Sequence, residues 1–309
     1  MKNILLLFLL FTGKNLLATY SDGKTGFTVK INGEINPYSI YSVFVMPEST
    51  IEISSEQDIQ VKSPDFSFML VSNNQWIGSA PAKTGLYQFS LNAGEFSTMH
   101  INVLVLTPMT QAKGEYFNGY RIGTYPSKPL NGNKIYERPE GLFEVTESNS
   151  NINLTPHFKL SQFVCKQAGG YPKYLIIREK LLLKLEYLLE ETNEAGYPIE
   201  TFGFISGYRT PFYNKSIKNV QYSRHVYGGA ADIIIDMDHD GHMDDLNADG
   251  KIDEQDVSIF HSLVDSQYDL PEYKEFRGGL GFYKKNSVHK GFIHVDVRGT
   301  KARWGHPGS

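Results

Sequence analysis

The segment SRHVYGGAADIIID, residues 223–236, sets His225 and Asp232 seven residues apart at the head of an apolar, β-branched run. A short continuous run of this kind, bounded by glycines, reads as a buried strand. The polar pair at its entrance is either core punctuation or two ligands of one metal ion. Zinc that does chemistry takes three protein ligands of the imidazole and carboxylate type and keeps a fourth position open. His294 in GFIHVDVRG, residues 291–299, is the best third ligand, because strand alternation puts Phe292, His294 and Asp296 on one face and Ile293 and Val295 on the other.

The surroundings extend the pattern. Residues 223–232 fit S-x-H-x-x-G-x-A-x-D at Ser223, His225, Gly228, Ala230 and Asp232. Before them stands Ser206-Gly-Tyr-Arg209-Thr-Pro211-Phe-Tyr-Asn214, and after them His294-Val-Asp296-Val-Arg298. This ordered set resembles the D-alanyl-D-alanine carboxypeptidase and dipeptidase family of zinc peptidases, related in fold to the hedgehog signalling domain. It is most similar to the exported, murein endopeptidase-like branch, whose opening T-P-H-F-x-L-S-x-F segment matches Thr155 to Phe163.

The resemblance covers roughly residues 155 to 304 and implies that His225, Asp232 and His294 hold Zn²⁺. Arg209, on a loop after an apolar strand, would steady a substrate carboxylate or the oxyanion, and Ser223 would orient a ligand from behind. Gly228 and Ala230 are small enough to pass beside the ion. Related chains often carry a carboxylate general base three residues before the last histidine; here that position is Gly291. His289, whose imidazole titrates near neutral pH, can take that part, with Asp296 as the competing candidate or as an ion-pair partner of Arg298.

A second metal signal follows the Asp232 strand. Asp245, Asn247, Asp249, Asp253 and Asp256 occupy positions 1, 3, 5, 9 and 12 of an EF-hand-like Ca²⁺ loop, with Gly250 at 6 and the carbonyl of Lys251 at 7. Asp236, Asp238, Asp240, Gly241 and Asp244 form an overlapping, weaker copy, so residues 236–256 read as a calcium-binding insertion. A helix is expected from about Glu254 to Gln267.

Elsewhere the chain divides in two. MKNILLLFLLFTGKNLLA, residues 1–18, has Lys2, an apolar run from Ile4 to Phe11 and a small residue at Ala18, the pattern of a cleaved signal peptide and a periplasmic or secreted product. That run is too short to span a bilayer, and no later stretch reads as a membrane span. Cleavage removes Lys2 and Lys14, leaving 28 basic against 34 acidic side chains, about −6, which argues against a nucleic-acid partner. The single cysteine, Cys165, sits in an apolar segment and reads as a buried thiol.

Residues 19–108 show short alternating runs (FTVKI, SVFVM, STIEI, FSFMLV, YQFSL, MHINVLVL), the signature of an Ig-like β-sandwich. Residues 109–154, rich in Pro, Gly and Asn, read as a connection with little regular structure, and leucines at helical spacing predict one long helix over 173–193. The expected fold class is α+β: a hedgehog/D-Ala-D-Ala peptidase-like zinc domain with a small antiparallel sheet over 155–309, preceded by the sandwich. The expected function is hydrolysis of peptide bonds in peptidoglycan stems or crosslinks. The alternatives are a non-catalytic zinc module binding wall peptides or a protein partner, and a calcium-dependent adhesin led by the sandwich.

Overall fold

Alternation along the first hundred residues buries one face of each strand: FTVKI turns Phe27, Val29 and Ile31 inward and Thr28 and Lys30 to solvent. The computed structural model describes residues 20–94 and 97–305; the expected signal peptide, residues 1–18, lies outside the described residues. The first strands are β1 (Lys24–Ile31), β2 (Glu34–Tyr38), β3 (Ile40–Val45), β4 (Thr50–Ser55), β5 (Gln60–Lys62), β6 (Phe68–Ser72), β7 (Gln75–Ser79), β8 (Gly85–Ala93) and β9 (Ser97–Val105). They form two sheets, β2-β1-β4-β7-β6 and β3-β9-β8-β5, whose inner faces share a core that includes Phe27, Tyr41, Ile51, Trp76, Phe89 and Ile101. β3 pairs with β9 in parallel from Ile40↔His100 to Val45↔Val105.

Residues 109–154 depart from the expectation of a loose connection. After β10 (Thr107–Pro108) they supply the hairpin β11 (Tyr116–Phe117) and β12 (Tyr120–Arg121), and then β13 (Gly141–Val145). Phe117, Tyr120, Ile122, Tyr125, Leu142 and Phe143 are buried in the same core as the C-terminal half. Their apolar side chains are spaced too irregularly, between turn residues, to give a period. The long helix is also shorter than expected: Lys173–Leu175 forms β14, paired with β13, and helix α2 runs over Glu179–Glu194, after the short helix α1 (Leu160–Phe163). Local helical spacing yields here to a waiting strand partner, while Gly196, at φ 94°, supports the turn that ends α2.

Helix α2 is buried on most of its circumference. Leu181, Leu182, Leu185, Leu188 and Leu189 face the C-terminal core, and Leu183 enters the core of the sandwich. Glu179 adds a polar tie, accepting a hydrogen bond from the Phe44 amide at 2.8 Å.

The remaining elements are β15 (Gly203–Ser206), α3 (Pro211–Ser216), β16 (Ala230–Ile234), α4 (Glu254–Ser266), β17 (Gly279–Tyr283), β18 (Phe292–Asp296) and β19 (Ala302–Trp304). Their sheet has the order β15-β16-β18-β17-β19. It is antiparallel through its first four strands, but β19 joins β17 in parallel, so the sheet is mixed. The chain as a whole is α+β, with several small sheets and few helices. Among the described residues no helix is long and apolar enough to cross a membrane.

Lys184 lies buried on α2, its Nζ donating to the Asp296 carbonyl at 2.8 Å and standing 5.2 Å from the Tyr273 ring centre. Burial pushes its amine down to about 7, against the pull of the Asp296 carboxylate. An unfolded lysine titrates near about 10.4, so between these values the unfolded chain holds the extra proton and stability rises with pH. Lys184→Met removes that titration. Urea unfolding at about pH 7 and about pH 9 should show the wild type gaining on the variant by on the order of 2 kcal/mol across the interval; equal gains would mean that Lys184 titrates as it does in water.

Candidate metal centre

The backbone brings the three candidate ligands together from two directions. Asp232 in β16 stands directly opposite His294 in β18, so the two side chains project from the same face of the sheet. His225 arrives on a 3₁₀ turn, Arg224–Tyr227, that closes at Gly228 with φ 68°. A Cβ at Gly228 would lie 2.3 Å from the Ile176 carbonyl oxygen, so glycine is needed for both conformation and contact.

The ligand atoms form a tight triangle. His225 Nε2 is 3.1 Å from Asp232 Oδ1 and 3.1 Å from His294 Nδ1, and His294 Nδ1 is 2.8 Å from Asp232 Oδ1. The outer atoms fix the protons. His225 Nδ1 lies 2.7 Å from the Gly207 carbonyl, which only accepts, so Nδ1 carries the hydrogen and the Nε2 lone pair faces the triangle. His294 Nε2 lies 3.2 Å from Asp296 Oδ2, which can only accept, so Nε2 donates there and Nδ1 is the nitrogen that a metal would take. Arg209 Nη2 holds the outer oxygen of Asp232, Oδ2.

Two imidazole nitrogens and a carboxylate oxygen therefore converge in a buried site. Ligands about 2.0–2.1 Å from a tetrahedral zinc stand roughly 3.3 Å apart, so the three residues fit one face of such a polyhedron. The charges agree. Burial pushes the His225 imidazole down, so it stays neutral. Burial raises the Asp232 carboxyl, but His225 and His294 overcome it and hold the group well below the usual carboxylate range. Against burial, hydrogen bonds to Asp232 and Asp296 raise His294.

Asp296, expected as a possible general base, is placed differently. It is fully buried behind His294, with Oδ1 accepting from the Gly279 amide at 2.9 Å and from Arg298 Nε at 3.0 Å, and Oδ2 from Arg298 Nη2 at 2.5 Å. Burial opposes its ionisation, yet His294 and Arg298 hold the carboxyl well below its ordinary range. With both oxygens engaged, it is placed to hold the His294 ring. Among the described residues no hydrogen bond joins Ser223 to the three ligands, and the acceptor on His225 is the Gly207 carbonyl.

Arg209 lies at the triangle's edge, with Nε donating to Ser206 Oγ at 2.8 Å. His289 sits on the loop between β17 and β18, its ring edge-on to Phe292 at 4.6 Å and its Nε2 2.8 Å from Asn286 Nδ2. Its Nδ1 is shielded from solvent and has no hydrogen-bond partner. Burial lowers the His289 imidazole, while the Asp232 charge raises it. Gly291 has φ 122°, and a Cβ there would lie 2.5 Å from Val257 Cγ2 on α4. The fold thus excludes a carboxylate side chain at that position.

Two neighbours were not legible beforehand. Trp304 lies 5.1 Å from the His294 ring, in space opened by Gly281, where a Cβ would meet the indole at 2.4 Å. Lys166 donates to the Phe204 carbonyl at 3.2 Å, and its amine, lowered by burial, is pulled up by Asp232 and down by Arg209.

In the acidic insertion, carboxylate oxygens of Asp236, Asp238 and Asp244 come within 4.8 Å of one another. The second copy, the better match in sequence, has its last ligands otherwise engaged: Asp253 Oδ1 caps α4 through the Gln255 amide at 2.8 Å. Both oxygens of Asp256 accept backbone amides, from Leu246 and Asp253, each at 2.8 Å.

No protein-family model and no curated protein matches the chain. A solved structure described as a nucleoside hydrolase-related hypothetical protein from Saccharophagus degradans, associated with carbohydrate metabolism, is similar over 27% of this chain and 26% of that chain. At 9% identity and a TM-score of 0.20 the likeness carries no statement about fold or function, and the chain spans about a quarter of that protein's length.

Competition with a chromophoric chelator should give one tightly held zinc per chain, lost in His225→Ala. Asp296→Asn keeps all three ligands and should weaken affinity by about 10–100-fold. An unchanged affinity in Asp296→Asn would remove its positioning role.

Proposed function

We propose that the chain is a zinc-dependent peptidase of the exported kind, acting on peptide bonds in peptidoglycan stems or crosslinks. The observation that supports the metal assignment is the convergence of His225 Nε2, Asp232 Oδ1 and His294 Nδ1 within 3.1 Å in a buried site, while the other nitrogen of each histidine faces an acceptor. The substrate class, the hedgehog-related fold of the C-terminal domain and the periplasmic or secreted location rest on the sequence motifs. Zinc bound there would polarise the scissile carbonyl and lower the pKa of the attacking water.

The chain's own groups divide the remaining work. Arg209, already held by Ser206 and Asp232, has further N–H donors for charge developing on the substrate oxygen. His289, with an unpartnered Nδ1 and an imidazole lowered by burial, would exchange the proton between attacking water and leaving amine. Lys166 would offer a cation to a substrate carboxylate beyond Arg209. Asp296 and the Gly207 carbonyl keep the two histidines in the tautomers that bind metal.

A second reading has one observation in its favour. Gly291 brings no acid to the position where related chains carry one, and Val257 fills the space. On that reading the centre binds wall peptides or a protein partner without cutting. Incubating zinc-loaded protein with peptidoglycan, with and without chelator, separates the two: released peptides in the mass spectrum, abolished by chelation, are expected. His289→Ala should lower turnover by about a hundredfold or more with zinc retained. A zinc-loaded wild type that releases nothing would turn the assignment to the binding module.

A further inference from the structure

The insertion between β16 and α4 is a tandem of two nine-residue units, DMDHDGHMD (236–244) and DLNADGKID (245–253). The units fold alike. The sixth residue donates its amide to the first side chain, Gly241 to Asp236 Oδ2 at 3.1 Å and Gly250 to Asp245 Oδ2 at 2.7 Å. The fifth donates to the third, Asp240 to Asp238 at 3.1 Å and Asp249 to Asn247 at 3.0 Å. The fourth and sixth residues are left-handed in both, at φ 62° and 82° in the first and 58° and 84° in the second.

What distinguishes the first unit is a buried carboxylate oxygen without a partner. Asp236 is only 7% exposed, and its Oδ1 accepts no hydrogen bond, although Oδ2 is engaged by Gly241. Burying an ionised oxygen with nothing to compensate it is costly, and native folds rarely leave one so. Oxygens of Asp236, Asp238 and Asp244 lie within 4.8 Å of one another. Burial raises the Asp244 carboxyl, and the charges of Asp238, Asp236 and Asp240 raise it further, against the Met237 amide that lowers it. A hard cation with oxygen ligands answers both the orphaned oxygen and the mutual repulsion.

We infer that a calcium ion binds in the first unit, on Asp236, Asp238 and Asp244, at the point where β16 ends. Asp236 follows the strand that carries Asp232, and the Asp244 amide returns to the Ile235 carbonyl at 3.1 Å, so the ion clips the insertion to the zinc strand. The second unit instead gives its closing aspartate, Asp253, to the cap of α4, in a capping box with Asp256. This site is independent of whether the zinc centre cuts peptides.

The test uses the full mature chain, stripped of metal by chelator and titrated with calcium chloride while the thermal midpoint is followed; bound calcium is counted by atomic emission. Calcium should raise the midpoint by several degrees, because a ligand held only by the folded state stabilises it. Asp238→Asn, at an exposed position, should weaken calcium binding by about tenfold or more, while Asp249→Asn keeps it. Asp236→Asn should raise the midpoint of the metal-free protein and abolish the calcium response, a pair of effects that loss of a structural hydrogen bond does not produce. No calcium-dependent rise in the wild type, an equal rise with magnesium, or loss of binding in Asp249→Asn alone would overturn the assignment. The readout is stability and stoichiometry, so it stands apart from any result on peptidoglycan.

Discussion

Two imidazole nitrogens and a carboxylate oxygen face one another at 2.8–3.1 Å on His225, Asp232 and His294, each with its other polar atom already hydrogen-bonded. Ligand atoms on three separate side chains would not stay this close in a flexible chain. The surrounding structure prevents this. The β16–β18 register fixes Asp232 opposite His294, and Gly228 is wedged against the Ile176 carbonyl. Gly207, where a Cβ would lie 2.5 Å from Phe163 Cα, presents its carbonyl to His225. Preorganisation of this kind lets a metal be bound without first ordering the ligands.

Behind the triangle the support continues into the core. Asp296 holds His294, Arg298 and Gly279 hold Asp296, and Lys184 reaches across from α2 to the Asp296 carbonyl. Helix α2 also sends Leu183 into the sandwich core and Glu179 to the Phe44 amide. The buried polar chain from centre to helix is therefore continuous with the packing that joins the two halves. Residues 109–154 complete that packing: Tyr125, for example, bonds the Tyr208 hydroxyl at 2.8 Å, next to Arg209.

Much of this was legible in the sequence wherever a local period or a fixed spacing carried it. Alternation marked six sandwich strands and put Phe292, His294 and Asp296 on one face, while His225 and Asp232 were singled out by the S-x-H-x-x-G-x-A-x-D pattern around them. What was hidden depends on contacts distant in sequence. Lys173–Leu175 carries helical spacing but pairs with β13, and Phe117 and Tyr120 are core residues without a period. The pairing of β19 with β17, which brings Trp304 beside His294, has no local signal. Asp296 looked equally fit for base or ion pair in sequence; only the engagement of both its oxygens decides it. In the acidic insertion the stronger match and the more convergent carboxylates are different copies, since helix capping claims Asp253 and Asp256.

The central claim is that these three side chains are the inner ligands of one zinc ion. X-ray absorption at the zinc edge of the purified, zinc-loaded protein tests it most directly. The account predicts two imidazole nitrogens and carboxylate or water oxygens at about 2.0–2.1 Å, with no sulfur. Replacing His225 and His294 together by alanine should leave no bound zinc to give that signal. A sulfur ligand at about 2.3 Å, or a zinc shell with imidazole scattering unchanged in that double variant, would contradict it.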